Sequence, residues 1–203
     1  MKIKICGMKF NIQKISNLLP DFIGFIFYPH SPRFIGFDFS IPRIKKEILK
    51  IGVFVNESEK FVLEIQKKNK LDFIQLHGSE SPFYCEKLFK KGLKLIKSFR
   101  IDNFFSFQKI IDYIPFCIYF LFDSNTIFYG GSGQKFCWKK LHEYTFKVPF
   151  FLSGGIGAQD FDKIQNFYHS KMFGIDLNSK FEIFPGYKDD IQLNSFIKKI
   201  RKL

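Results

Sequence analysis

Alanine is almost absent. The chain has 203 residues and a single alanine, Ala158. Helices built on this sequence therefore lack the residue that favours them most, and they must draw their stability from packing. Cysteine is scarce and widely spaced, at Cys6, Cys85, Cys117 and Cys137. No CxxC pair and no metal-ligand spacing occurs, which excludes a zinc ribbon or a dithiol redox motif. Long apolar runs are missing too. The densest, Pro115 to Phe122, falls well short of the ~20 residues that span a bilayer. Met1 leads straight into a strand-like segment with no secretory pattern. The expectation is a reduced, cytoplasmic protein that binds no membrane.

What is abundant is phenylalanine and lysine. Thirty Phe within a 46% hydrophobic chain supply material for one large core, at roughly 1.5–3 kcal/mol for each fully buried ring. The net charge of +13 could mark a nucleic-acid footprint. However, Phe, Lys, Ile and Asn share AT-rich codons, and the lysines are scattered. The densest basic group, Lys198, Lys199, Arg201 and Lys202, ends a helix candidate, where the dipole favours cations. Charge is read here as composition, with no specific nucleic-acid partner.

Two segment types alternate along the chain. Short runs rich in Ile, Val and Phe read as buried parallel strands: Lys2–Cys6, Phe22–Phe27, Ile51–Val55, Phe73–Leu76, Lys94–Phe99, Cys117–Phe122, Phe150–Ser153 and Met172–Leu177. Lys-rich amphipathic segments follow each one: Phe10–Leu19, Ile41–Leu49, Glu57–Lys68, Ser81–Lys91, Phe104–Tyr113, Phe136–Tyr144, Asp160–Tyr168 and Lys188–Lys202. Eight such pairs in strict order predict an α/β fold, a single (β/α)8 TIM barrel over residues 1–203. An open doubly wound sheet rarely needs eight units.

In such a barrel the chemistry gathers at the C-terminal ends of the strands. That rule selects Cys6 after strand one, Gln75 and His77 after strand four, Asp123 after strand six, Gly154 and Gly155 after strand seven, and Asp176 and Ser179 after strand eight. Taken singly, each has an ordinary explanation: a buried small thiol, a hydrogen-bonded structural histidine, a turn aspartate, a tight glycine turn. Together on one rim they form an acid–base pair beside a phosphate cradle. The cradle would lie between Ser153-Gly154-Gly155-Ile156 and Asp176-Leu177-Asn178-Ser179, where barrels bind phosphate on backbone N–H groups.

Nine short motifs, in order, sharpen this reading. They are Lys4-Ile5-Cys6-Gly7, Phe27 through Arg33, Gly52 through Asn56, Gln75 through Glu80, Phe122-Asp123-Ser124, Gly130-Gly131-Ser132-Gly133 with Phe136 and Trp138, Leu152 through Gly155, Asp176 through Glu182, and Pro185 through Asp189. In these the chain resembles the phosphoribosylanthranilate isomerases from end to end. The resemblance implies an Amadori rearrangement of N-(5-phosphoribosyl)anthranilate in tryptophan biosynthesis, without cofactor or metal. It implies Asp123 as general acid, opening the ribose ring, and Cys6 as general base, removing the C2 proton. It also implies that Arg33 meets the anthranilate carboxylate with its planar fork. By their place on the rim, Gln75, His77 and Asp176 are expected to contact the substrate and Asn178 and Ser179 to help hold phosphate, with the Lys180 ammonium beside them. Such a protein would act as a monomer or homodimer.

A thiol base is awkward, since only a few per cent is thiolate at neutral pH; a basic field or local donors must assist it. The chain also departs from the family pattern. Lys180 stands in place of a glycine and Asn178 in place of a serine. Cys137 replaces a capping aspartate before Trp138. Gly157-Ala158-Gln159-Asp160 replaces an Asn-Pro entry to helix seven, which Asp160 could still cap. Two rival readings remain at this point: a histidine-pathway sugar-phosphate isomerase, which carries Asp where this chain has Cys6, and an inactive barrel serving as a basic binding module.

Overall fold

The computed structural model describes residues 1–124 and 137–203. The motif 130–133 and Phe136 lie outside the described residues. Eight strands close into a parallel barrel in sequence order: β1 (Lys2–Ile5), β2 (Phe22–Ile26), β3 (Leu49–Phe54), β4 (Phe73–Leu76), β5 (Leu95–Ile101), β6 (Cys117–Ser124), β7 (Phe150–Leu152) and β8 (Met172–Leu177). Closure comes from β1 pairing with β8, with Lys4 opposite Asp176. Side chains alternate between the two faces of each strand. One set, including Ile3, Ile5, Phe25, Phe120, Phe122 and Phe150, packs outward beneath the helices. The other fills the barrel interior, with Phe22, Ile51, Phe73, Ile96, Leu121 and Phe151.

The interior explains much of the phenylalanine. Phe22, Phe73, Tyr119, Phe151 and Phe173 make a ring of aromatic contacts across the floor. Phe22 meets Phe151 edge-on at 5.3 Å and 89°, Phe151 meets Phe173 edge-on at 5.3 Å and 86°, and Tyr119 stacks on Phe173 at 4.4 Å. Edge-to-face pairs place a positive ring edge on a negative face, an arrangement aromatic rings prefer. The ring plugs the end of the barrel opposite the strand C-termini.

The outer layer is more varied than the alternation predicts. Three of the expected helices form nearly as read: α2 (Glu59–Asn69), α3 (Pro82–Lys90) and α5 (Asp190–Ile200). They are capped by the side chains of Ser58, Ser81 and Asp189 respectively. Two shrink, to α1 (Ile12–Ser16) and α4 (Phe161–Gln165). Phe107–Tyr113 and Trp138–Glu143 are 3-10 segments, which suit short connectors. Cys137 provides no side-chain cap to the second. Asp160 turns back to accept the Gly157 N–H at 2.8 Å and does not cap α4.

The helix expected over Ile41–Leu49 does not form. Its end already belongs to β3. Pro42 biases Ile41 away from helical geometry, and side chains take the backbone donors: Asn69 Oδ1 accepts from Ile41 N at 2.9 Å and Ser16 Oγ from Lys45 N at 3.0 Å. A small hairpin that the alternation did not predict, β9 (Glu182–Phe184) with β10 (Tyr187–Lys188), follows β8. Lys188 therefore belongs to β10 and not to the last helix. Asn11 clasps it, donating to Lys188 O at 2.8 Å and accepting from Lys188 N at 3.1 Å. Among the described residues no helix is long and apolar enough to cross a membrane.

Candidate active site

A cavity opens at the strand C-termini. Cys6, Arg33, Gln75, His77, Asp123 and Asp176 all line it, as do Gly154, Gly155, Asn178 and Ser179. Lys180 alone among the expected site residues stays outside, exposed on the turn Ser179–Phe181. Its backbone is not at positive φ, so nothing in its conformation calls for glycine.

Cys6 directly follows β1 and its N–H donates to Leu177 O of β8 at 2.9 Å. It is 4% exposed, so it reaches the cavity but little bulk solvent. Room for its sulfur is made by Gly24 on β2, where an added Cβ would lie 2.8 Å from Sγ. Two residues earlier on the same face, the fully buried Lys4 donates to Asp176 Oδ1 at 2.8 Å. Burial alone would lower the Lys4 ammonium, but Asp176 and Cys6 beside it hold it above the usual lysine value. Burial pushes the Cys6 thiol up, Lys4 and Lys188 pull it down, and Asp176 adds to the rise; the net direction is upward.

Across the cavity, Asp123 sits inside β6. Its Oδ1 accepts from the Ser124 N–H at 2.8 Å, and its Oδ2 lies 3.5 Å from His77 Nε2. His77 Nδ1 meets Ser98 Oγ at 2.9 Å and Gln75 Nε2 at 3.0 Å. With donors at Nδ1, the tautomer carrying its proton on Nε2 faces Asp123. Gln75 Oε1 and Ser124 Oγ are buried without a partner among the described residues. In a cavity wall, such atoms are unspent acceptors and donors.

Gly154 and Gly155 have φ of +96° and +65°, and a Cβ at Gly154 would fall 2.2 Å from Ser124 Oγ. Only glycine fits there, and the turn brings bare backbone to the cavity beside Asn178 and Ser179.

The Arg33 guanidinium is held by Glu182 of β9, with Nε donating at 2.9 and 3.0 Å and Nη2 at 2.5 Å. Glu182 Oε1 also accepts from Lys188 Nζ at 2.7 Å, and that ammonium reaches Asn178 Oδ1 at 2.7 Å. Burial pushes the Lys188 ammonium down to about 8 despite Glu182. Gly7, at φ +73°, lies where any Cβ would strike both Arg33 and Asn178 at 2.6 Å. The hairpin thus fixes the loops after β1, β2 and β8 to one another. Lys4, Gly24, Ser124, Glu182 and Lys188 were not identified from the sequence as parts of the site. For Lys4 a signal existed, since it precedes Cys6 by two and shares its face. Among the described residues no group of three His, Cys, Asp or Glu could hold a metal ion.

An acid, a thiol and a glycine turn on one barrel mouth fit the class of small-molecule enzymes that work by proton transfer. Known proteins narrow this further. The family model described as N-(5'phosphoribosyl)anthranilate (PRA) isomerase matches residues 3–199. N-(5'-phosphoribosyl)anthranilate isomerase of Parabacteroides distasonis is 44% identical over 98% of this chain and 93% of its own. The crystal structure of phosphoribosyl anthranilate isomerase from Thermotoga maritima superposes with a TM-score of 0.85 at 30% identity, covering both chains completely. Another phosphoribosyl anthranilate isomerase, solved in complex with reduced 1-(o-carboxyphenylamino)-1-deoxyribulose 5-phosphate, gives 0.82 at 27% identity, again over both whole chains. The chain belongs to the N-(5'-phosphoribosyl)anthranilate isomerase family, enzymes of tryptophan biosynthesis.

Proposed function

We propose that this cavity converts N-(5-phosphoribosyl)anthranilate into 1-(2-carboxyphenylamino)-1-deoxyribulose 5-phosphate, with Asp123 as general acid and Cys6 as general base. The observation that carries the assignment is that these two groups, from β6 and β1, line one cavity together with the glycine turn after β7 and the Asn178–Ser179 turn after β8. Phosphate sits against the backbone N–H groups of Gly154 and Gly155 and the Asn178–Ser179 segment. It places the ribose between the two walls. Asp123 protonates the ring oxygen; the C1–O bond breaks and an imine forms between C1 and the anthranilate nitrogen. The cationic imine acidifies C2, Cys6 takes its proton, and the enolamine tautomerises to the ketone. Gln75, with its unpaired Oε1, His77 and Asp176 contact the sugar. The Glu182 fork occupies the Nε and Nη2 edge of Arg33, and its remaining N–H donors take the anthranilate carboxylate.

This reading requires Cys6 to be reduced, in keeping with the free cysteines of the described residues, and we place the enzyme in the cytoplasm as a monomer or homodimer. Cys6 also sets it apart from the histidine-pathway isomerases, which would carry an acid there.

Purified protein should abolish the substrate's fluorescence. In Cys6→Ser and Asp123→Asn, kcat should fall by on the order of 10²–10⁴, the worth of one positioned acid or base, with substrate binding retained. The free thiol is pushed up by burial and the base acts only when deprotonated, so kcat/KM should climb with pH through the neutral range. Near-normal turnover in Cys6→Ser would remove the thiol from the mechanism.

A further inference from the structure

Beneath Cys6 lies a cation that the acid–base scheme leaves unused. Lys4 and Cys6 are alternate residues at one end of β1, on the same inward face. Lys4 is fully buried, and among the described residues its ion pair is with Asp176, at 2.8 Å. A buried ammonium is retained only where fixed negative charge compensates it. Asp176 supplies one such charge, and the next acidic group in reach is the thiol itself. We propose that Lys4 is a positioning residue for the reaction: its ammonium, locked by Asp176 below the cavity, is the counter-charge that allows Cys6 to exist as a thiolate. The inference rests on Cys6 being the base.

Among the described residues, the charged groups acting on Cys6 are Lys4 on its own strand, Asp176 on β8 and Lys188 on β10; Arg33 borders Gly7, the next residue, and β2 places Gly24 at the sulfur. Asp123 and His77 stand on other walls of the cavity. Arg33 and Lys188 are both bound by Glu182, and burial pushes the Lys188 ammonium down to about 8. Lys4 is held above its usual value by Asp176 and Cys6. On ionisation the thiol proton leaves through the cavity to solvent, and the thiolate then accepts the C2 proton of the substrate.

The pair makes opposite predictions for its two members. Lys4→Met removes the counter-charge, so alkylation of Cys6 by iodoacetamide at fixed neutral pH should slow by about tenfold or more, the equivalent of one pH unit in thiolate population. Asp176→Asn removes the competing anion and leaves Lys4 to the sulfur, so the same rate should rise. Peptide mass reports modification of Cys6 alone, in the substrate-free enzyme. Lys188→Met should slow it less than Lys4→Met. If burying Asp176 unpaired prevents Lys4→Met from folding, Lys4→Met/Asp176→Asn removes both charges and should still alkylate more slowly than Asp176→Asn. A purely structural ion pair would move both single variants the same way. That result, an unchanged rate in either folded variant, or a larger effect of Lys188→Met would overturn the proposal. The pH profile of kcat/KM separates it from the catalytic assignment. If alkylation shifts as stated but the acid limb of activity does not follow, Lys4 still controls the thiol and Cys6 is not the base.

Discussion

The two ends of the barrel interior are built from the same strands and share almost no chemistry. On β4, Phe73 belongs to the floor, while Gln75 and then His77 rise to the mouth. On β6, Tyr119 packs on the floor and Asp123 lines the cavity. On β7, Phe151 gives way to Ser153, and on β2, Phe22 gives way to Gly24 beside the sulfur. One or two steps of two residues along a strand lead from a ring of edge-on aromatics to a wall of titratable groups. The floor, in which five rings close on one another, has no polar atom to satisfy except the Tyr119 hydroxyl. Among the described residues the mouth keeps Gln75 Oε1 and Ser124 Oγ unpaired and Lys4 and Lys188 fully buried. Close aromatic packing fills one half, and polar and titratable groups border an open cavity in the other.

That division can be broken most sharply at Phe151. It is fully buried and meets Phe22, Tyr119 and Phe173, so Phe151→Ala should lower unfolding free energy by roughly 3–5 kcal/mol while kcat, measured below the new Tm, changes little. Asp123→Asn should do the reverse and leave denaturant midpoints close to the wild-type value. A floor variant that lost turnover without losing stability would show that the two ends are coupled.

Glu182 tests the rim between the halves. Burial acts to raise its carboxyl, but Arg33 and Lys188 hold it below the usual range. A depressed acid contributes stability that is complete above its unfolded value, near 4.5, and is lost as pH falls through the lower folded value. Acidification below that point should therefore loosen the hairpin and Arg33 together. Glu182→Gln should remove this acid-side loss from stability measured against pH. At neutral pH it should raise KM more than it lowers kcat, with a total effect of roughly 1.5–3 kcal/mol, the range for charge-assisted hydrogen bonds. An unchanged KM would mean that Arg33 does not need the fork to meet its ligand.

Much of this plan is written in local pattern. Apolar runs of four to eight residues mark the strands, and the position after a strand is enough to pick out Cys6, His77, Asp123 and the Gly154–Gly155 turn. What escapes local reading is set by partners far away in the chain. Ile41, Ile44 and Ile48 carry helical spacing, yet Asn69 and Ser16 take the backbone donors of that segment. Lys188 looks like the first residue of a charged helix until β9 pairs with it. Gly24 looks like a strand interruption until Cys6 is placed against it. Lys4 and Asp176 meet across the barrel closure, 172 residues apart, so no window of sequence contains both. Period-two alternation puts Lys4 on the face of Cys6, a signal the sequence offers without saying what would neutralise the charge there.

The smallest expected effect is at Lys180. The family pattern has glycine at this place, and a glycine is needed where the backbone takes a special shape; a lysine there could instead take over part of the phosphate site. The geometry favours neither. Lys180 lies in a 3-10 turn with no positive φ, its side chain is exposed, and it does not border the cavity. Lys180→Gly should thus change KM by less than about twofold, as befits an exposed charge screened by salt. Stability should fall by at most about 1 kcal/mol, from the greater chain entropy of glycine in a helical turn. Two measurements would settle the role of the ammonium: KM at low and high ionic strength, and inhibition by inorganic phosphate. If the lysine does bind phosphate, KM in the variant should rise several-fold at low salt and the difference should shrink as salt is added. An equal KM at both salt concentrations would leave the anion to the backbone of Gly154, Gly155 and the Asn178–Ser179 turn.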